Sequence, residues 1–195
     1  MSFNQKISII FLSTIMLGLL STQQVCAQLG MGIRAGGNLS SGHGTAFQSG
    51  KKLGYHIGGH LTYHFNKTIA LQAEPVYNLI RIRNNEQTAQ RDQGIGAGTR
   101  KLEYISAPLY LKLNFTERIA IMAGLDFNFL MNDNRYKLNN GENAFRHQPR
   151  TGYSLGAEIG GLYFRYRKFN RTTNIVENWT AAIEQYQLGY KFDLF

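Results

Sequence analysis

Three histidines recur at intervals of four residues within Leu53–Phe65: His56, His60 and His64. On a helix this spacing would place them on one face, where two of them could chelate a metal ion. However, every odd position of the segment except Gly59 is large and apolar, which is the alternation of a β-strand. On a strand, residues four apart lie about 13 Å from each other, whereas a zinc–nitrogen bond measures about 2 Å. We therefore predict no metal site here, and we expect these side chains to line an interior or its rim.

Other residues that could support catalysis lack partners in the sequence. Ser40, Ser41 and His43 lie close together in the predicted first loop, and His147 lies alone in the third. A serine nucleophile needs a base and a group that orients the base, and we can assign no orienting carboxylate to these residues. The glycine-rich run 94–98 resembles a phosphate-binding loop, but no helical pattern follows it. We predict no catalytic residue and no cofactor.

The N-terminus has the pattern of a secretory signal. Lys6 precedes an apolar run over Ile7–Leu20, and Val25-Cys26-Ala27 forms a small-residue cleavage site. We predict a signal peptide over residues 1–27 and one domain over residues 28–195. Cleavage at that position would remove the only cysteine, so a disulfide scaffold and thiol catalysis are excluded.

Alternating segments recur along the whole predicted domain and indicate an all-β fold. Eight predicted strands cover Gly30–Asn38, Leu53–Phe65, Ile69–Ile80, Leu102–Phe115, Ile119–Met131, Gly152–Gly160, Leu162–Phe169 and Ala181–Phe195. Their connections alternate between tight turns and long polar segments near 39–52, 83–101, 132–151 and 170–180. Short periplasmic turns, long outer loops and an even strand number are typical of outer-membrane barrels. We predict an eight-stranded antiparallel up-and-down transmembrane β-barrel.

A soluble eight-stranded barrel of the lipocalin type shares the alternation, with its apolar face inward. Three features favour the membrane barrel. Charges occur in the middle of nearly every polar face, and the chain ends on an apolar strand with Phe195. The third feature is a set of aromatic residues near the strand ends, as in aromatic girdles: Tyr63, Phe65, Tyr77, Phe115, Phe129 and Tyr186.

If the apolar faces meet lipid, the opposite faces collect charge inside the barrel. The predicted lumen network comprises Arg34, Glu74, Lys112, Asp126, Glu158, Arg165, Arg167, Lys191 and Asp193. An eight-stranded barrel is only wide enough to be filled by its own side chains, so these charges should pair with each other. A plugged structural core is favoured over a narrow polar conduit.

The long connections carry most of the chain's net charge of +9. The predicted basic loop surface comprises Lys51, Lys52, Arg83, Arg91, Arg100, Lys101, Arg135, Lys137, Arg146 and Arg150. Such a surface would attract lipopolysaccharide phosphates or other polyanions in a salt-dependent way. A merely solvated rim explains the same residues equally well.

Short motifs resemble those of a known family. Gly32–Ser40 is similar to the opening strand of the small outer-membrane β-barrel proteins called porin-family or PorT-like, and Tyr104–Leu113 resembles their Tyr-Leu-x-x-Pro-Leu-x-x-Lys strand. Ala123-Gly124 and Phe164-Arg165-Tyr166 resemble later strands of that family. The resemblance implies an eight-stranded outer-membrane barrel that the barrel-assembly machinery inserts, and it implies no activity.

Together these patterns predict a non-enzymatic integral protein of a Gram-negative outer membrane, with a structural role or a surface-ligand role through its basic loops. The expected partners are outer-membrane lipids and lipopolysaccharide, and nucleic acid is not expected for an exported protein. Three alternatives remain: a narrow porin, an outer-membrane lipid-modifying enzyme and, if the faces are inverted, a soluble periplasmic lipocalin-like binder. The oligomeric state is not predicted.

Overall fold

Ten β-strands make up the regular structure in the computed structural model of the protein, which describes residues 28–43, 50–84, 98–137, 141, 143–145, 149–170 and 182–194. The strands are β1 (Leu29–His43), β2 (Lys52–His64), β3 (Ile69–Ala73), β4 (Val76–Asn84), β5 (Gly98–Ser106), β6 (Leu109–Asn114), β7 (Ile119–Asn132), β8 (Arg150–Ile159), β9 (Leu162–Asn170) and β10 (Ala182–Asp193). No helix in these ranges is long and apolar enough to span a membrane. The predicted signal peptide, residues 1–27, lies outside them.

The strands close into a barrel. Each neighbouring pair is antiparallel, and β1 pairs with both β2 and β10, which joins the first strand to the last. β3 and β4 are two halves of one barrel strand, and β5 and β6 are two halves of the next, so the ten segments form eight barrel strands. The predicted eight-stranded fold is therefore confirmed.

Two of the predicted strands are interrupted where the sequence analysis treated them as continuous. Both breaks contain a proline, Pro75 in one strand and Pro108 in its neighbour, and the two breaks lie side by side. Proline has no N–H group to give to the ladder. The Glu74 amide still donates to the Pro108 carbonyl (3.0 Å), and the register is unchanged across the break. The two strands thus stay aligned although donors are missing between them.

The tight turns lie at one end of the barrel, called here the turn end, and the long connections lie at the other, called the loop end. The first strand differs most from its predicted bounds, since β1 runs on to His43 rather than ending at Asn38. Ser40 and Ser41 therefore belong to a strand, where both are buried, and not to a loop as predicted. The structure does not describe the side chain of His43.

Large apolar side chains cover the outer surface. Leu53, Leu125 and Phe115 are 64%, 60% and 66% exposed, whereas polar groups on the alternate positions are buried. Apolar groups left exposed on every strand would be unfavourable in water and are matched by lipid. Aromatic residues concentrate near both ends of this band. At the turn end Tyr190 packs on Phe192 with ring centroids 4.8 Å apart, and at the loop end Tyr166 packs on Tyr186 at 5.3 Å.

The interior changes from polar to apolar towards the loop end, which the alternation did not predict. Here the inward side chains form a cluster, called the apolar plug: Ile80, Ile82, Leu102, Tyr104, Leu130, Ala144, Phe145, Phe169 and Ile183. Ala144 and Phe145 come from the connection between β7 and β8 and are completely buried. The plug therefore fills the interior of the described barrel with apolar side chains near its loop end.

Inward-facing glycines make room for the large interior side chains. Gly124 of β7 lies opposite Tyr110, which is completely buried. A Cβ atom at position 124 would lie far inside contact distance of the Leu109 backbone carbonyl. By contrast, a Cβ at the outward-facing Gly37 would meet only one atom, the Gly54 carbonyl oxygen at 4.0 Å.

We expect Gly124→Ala to destabilise the barrel by about 1–3 kcal/mol, because the added methyl group overpacks the wall against backbone atoms. Gly37→Ala is the matched control and should leave stability unchanged. The measurement is the temperature at which the folded band on an unheated gel converts to the unfolded band. Equal conversion temperatures for the two variants would contradict the close approach at Gly124.

Candidate functional site

The structure buries seven of the nine residues of the predicted lumen network. Arg34, Glu74, Lys112, Asp126, Glu158, Arg165 and Arg167 are each at most 6% exposed. The other two lie closer to the turn end, where the side chain of Lys191 is 13% exposed and that of Asp193 is 60% exposed. Asp193 therefore belongs to the mouth of the barrel rather than to its interior.

Glu74 is the centre of the network. Its carboxylate accepts hydrogen bonds from the guanidinium groups of Arg34 and Arg165, with Arg165 Nη2 at 2.6 Å from Oε1, and from the side-chain amide of Gln72. Arg34 is on β1 and Arg165 on β9, so one carboxylate links three separate strands of the wall. A buried carboxylate requires such partners, because its desolvation is costly.

Aromatic rings fill the space around these arginines. The Arg34 guanidinium lies 3.9 Å from the centre of the Tyr163 ring, and the Arg165 guanidinium lies 4.5 Å from the centre of the Tyr110 ring. The Tyr163 hydroxyl is in turn 2.5 Å from His56 Nε2. Cation–π contacts of this kind are strongest when they are shielded from water.

A second ion pair lies nearer the loop end. Arg167 donates from Nε and Nη2 to the two oxygens of Asp126, at 2.5 and 2.7 Å, which is a bidentate arrangement. Its remaining donors reach Gln185 Oε1 at 3.1 Å and Asn128 Oδ1 at 3.0 Å. Amide side chains thereby satisfy the guanidinium donors that the carboxylate cannot accept.

The third group of charges lies towards the turn end. Glu158 accepts from Lys112 Nζ at 2.5 Å and lies 3.4 Å from Lys191 Nζ, while Lys191 is also 3.4 Å from Asp193. Two adjoining cavities of about 340 Å³ and about 760 Å³ begin here, and both are lined by Lys112, Lys191 and Asp193. They include residues of the tight turns, so this end of the interior is open to a shallow vestibule.

The three histidines do not converge. His56 contacts Tyr163, whereas His60 Nε2 is 2.8 Å from Asp193 Oδ1, and His64 lines the larger cavity. Among the described residues no group of three or more histidine, cysteine, aspartate or glutamate side chains could hold a metal ion.

The predicted basic loop surface divides into three sets at the loop end. Arg83 and Lys101 occupy outward positions of their strands, and Lys52, Arg100 and Arg150 occupy inward positions. The remaining three lie in connections, with Lys51 directly before β2 and Arg135 and Lys137 after β7. Some of them have local partners, since Arg100 stacks on Tyr136 at 4.4 Å and Lys137 donates to Asn143 at 2.7 Å. Arg91 and Arg146 lie outside the described residues.

Only the charged residues of the network were predicted, and the neutral residues that complete it were missed. Gln72, Asn78, Gln185 and Gln187 are buried with their amides hydrogen-bonded, and Tyr110 and Tyr163 supply ring faces. A usable signal was present in the sequence, since each of these residues occupies the same strand face as the selected charges. Inward glycines next to large side chains, such as Gly156 beside Arg165, gave a second signal.

A closed all-β barrel with a polar interior, an apolar exterior and aromatic residues at both rims defines an outer-membrane β-barrel protein. The family model of the outer membrane protein beta-barrel domain matches residues 22–192, and the chain belongs to that family. It is therefore an integral protein of the outer membrane. A comparison with curated protein sequences found no significant match.

Solved structures with a similar fold are small outer-membrane proteins. One is Ail, the attachment invasion locus protein of Yersinia pestis, in complex with the heparin analogue sucrose octasulfate, with 10% identity over 85% of this chain and 99% of that chain and a TM-score of 0.43. Another is OprG of Pseudomonas aeruginosa, with 11% identity over 84% of this chain and 95% of that chain and a TM-score of 0.48.

The Glu74 ion pairs generate a stability prediction. We expect Glu74→Gln to lower the free energy of unfolding by about 3–5 kcal/mol, because it leaves two buried guanidinium groups without their carboxylate. The control is Glu117→Gln in an exposed turn, which should have no measurable effect. The folded fraction on unheated gels after incubation in increasing urea measures both. If Glu74→Gln unfolded at the same urea concentration as Glu117→Gln, the network would not carry the stability ascribed to it.

Proposed function

We propose that this protein is a sealed, non-enzymatic barrel whose role is structural within the outer envelope. The observation that carries the proposal is the layering of the interior, in which the apolar plug lies above the three groups of ion pairs. An eight-stranded barrel has no spare width once its inward side chains are large. Arg34, Arg165, Arg167, Tyr110 and Tyr163 are among its largest fully buried side chains.

The vestibule at the turn end supports the same proposal. Its cavities reach Lys112 and Glu158, and above them the Glu74 ion pairs fill the lumen. Ions entering from the turn end would meet paired charges that would have to separate, which is costly in a shielded interior. The arrangement therefore favours a closed lumen over the open lumen of a narrow porin.

The non-enzymatic part of the proposal rests on the candidate nucleophiles. Ser40 is completely buried and donates to Asn38 Oδ1 at 3.0 Å, and it also accepts from the Gln185 amide at 3.2 Å. Ser41 is 2% exposed. Neither serine is presented to lipid or to solvent, as a lipid-modifying hydrolase would require.

We also propose the usual orientation of such barrels, with the turn end in the periplasm and the loop end outside, after export and removal of residues 1–27. Insertion would be carried out by the barrel-assembly machinery. This orientation exposes the basic loop surface to the cell exterior.

The sealed interior predicts that the purified protein adds no stepwise conductance to a planar lipid bilayer. A general porin added under the same conditions is the control for insertion. A heat-modifiable band on a gel of the same protein sample shows that the barrel is folded. Regular conductance steps that disappear when the sample is boiled first would overturn the proposal in favour of a pore.

A second candidate function is binding of polyanions at the loop end. Lys51, Arg135 and Lys137 are exposed there, and Arg83 is exposed on the outer face. Clustered cations attract polyanions through a potential that salt screens within about 10 Å at 0.1 M. The candidate concerns ligands in solution and does not require an open lumen.

Replacing Lys51 and Lys137 by Gln should weaken binding of dextran sulfate several-fold and reduce its salt dependence, because two cations leave the loop end. Lys67→Gln with Arg118→Gln is the matched control, since it removes the same charge from exposed turns at the opposite end. Binding is measured by retention of the folded protein on a dextran sulfate surface at increasing salt. Equal losses for the two double variants would show that only net charge matters.

A further inference from the structure

Three cations lie side by side on the outer face of the β4–β5 pair. Arg81 of β4 is directly opposite Lys101 of β5, and Arg83 is opposite Thr99, which makes Arg83 the diagonal neighbour of Lys101. Residues directly opposite in antiparallel strands point to the same face with Cβ atoms about 5 Å apart. Arg81 and Arg83 are exposed and alternate with Ile80 and Ile82 of the apolar plug, which places both arginines on the outer surface.

Like charges directly opposite each other destabilise a sheet. The same barrel shows the favourable alternative, because Lys168 of β9 is directly opposite Glu184 of β10 and the two are joined at 2.9 Å. Lys168 occupies a comparable outward position near the loop end. The Arg81–Lys101 pair therefore differs from this complementary pair in placing two like charges opposite each other.

One acid among the described neighbours pairs with this cationic cluster, and it pairs with Lys101 alone. The carboxylate of Glu103 lies 2.9 Å from the Lys101 ammonium. Arg81 donates to the backbone carbonyl of Leu53 at 3.2 Å, which carries no net charge. Within the described part of the chain, neither Arg81 nor Arg83 has an ion pair with an acid.

The cluster lies where the apolar band ends. Below it on the same two strands come Tyr77 and Ile105, and the Tyr77 ring is 6.2 Å from the ring of Tyr55 on β2. Tyrosines at the end of an apolar band mark the level of the lipid headgroups. Side chains two or three outward positions further along a strand therefore face the headgroup phosphates rather than the acyl chains or bulk water.

We propose that Arg81, Arg83 and Lys101 form a binding site for a phosphate group of an anionic lipid in the leaflet at the loop end of the barrel. Two guanidinium groups can each bind phosphate oxygens through paired N–H donors, and the lysine adds a point charge. A bound phosphate would also offset the repulsion within the Arg81–Lys101 pair. The site rests on the membrane location of the barrel and is independent of whether the lumen conducts.

The test uses the folded, full barrel in neutral detergent micelles and a bisphosphorylated lipid A probe with a fluorescent label. Arg81→Gln and Arg83→Gln should each weaken binding about fivefold, the effect of one cation near an anionic membrane surface. Lys168→Gln is the matched control, since it removes one outward cation at the same end of the barrel. Heat-modifiability on a gel establishes that every variant is folded before it is titrated.

Three outcomes would overturn the proposal. The first is a loss of affinity in Lys168→Gln equal to that in the arginine variants, which would indicate net charge alone. The second is equal affinity for a lipid A probe without phosphates. The third is displacement of the probe by millimolar inorganic phosphate, which would show a site for free anions rather than a lipid. Because micelles have no sides and no conductance is measured, a failure of the proposed orientation or of the sealed lumen would leave this result unaffected.

Discussion

The carboxylate of Glu74 is the group on which the interior depends. It lies beside the break at Pro75, where the wall lacks backbone donors, and its arginine partners come from β1 and β9. The ion pairs thus connect three strands across the lumen at the level where two neighbouring strands are joined least continuously. The four buried cations and three of the four buried anions among the described residues belong to the groups arranged around this link. Without it, the guanidinium groups of Arg34 and Arg165 would be buried and would lack the carboxylate that they share.

Alternation of side chains predicted the barrel well, because one constraint acts on every strand. Lipid requires apolar groups outside and a closed ladder of backbone hydrogen bonds, so Leu53 and Leu125 reveal the outer face from the sequence alone. The same alternation did not predict the apolar plug. Ile80, Ile82 and Leu102 are apolar on the inner face and alternate with charged residues on the outer face, so the phase of the alternation is reversed there. The packing of Phe145 from a distant connection, which completes the plug, depends on tertiary contacts that no local pattern contains.

Seven of the nine residues assigned to the lumen from the sequence are buried, but the sequence did not predict how they pair. Arg34 and Glu74 are 40 positions apart, and Arg167 and Asp126 are 41 apart, so their contacts follow from the position of each strand around the barrel and from its stagger. These quantities are properties of the closed sheet. The inward glycines show how the same closure governs packing, since Gly156 leaves room for Arg165 only because β8 and β9 adopt that register.

Register also determines which charges meet on the outer face, although the outer face does not determine the register. Contacts in the interior specify how β4 and β5 align, and a slip of one residue would turn the inward side chains of the slipped strand towards lipid. Arg81 and Lys101 therefore meet as a consequence of contacts made on the other side of the sheet. Selection can act on such a pair in two ways. It can replace one member by an acid, which gives a complementary pair such as Lys168 and Glu184. It can also retain both cations where an anion outside the protein compensates their charge. At the level of the headgroups, lipid phosphates are the anions that a membrane supplies along the whole circumference of the barrel.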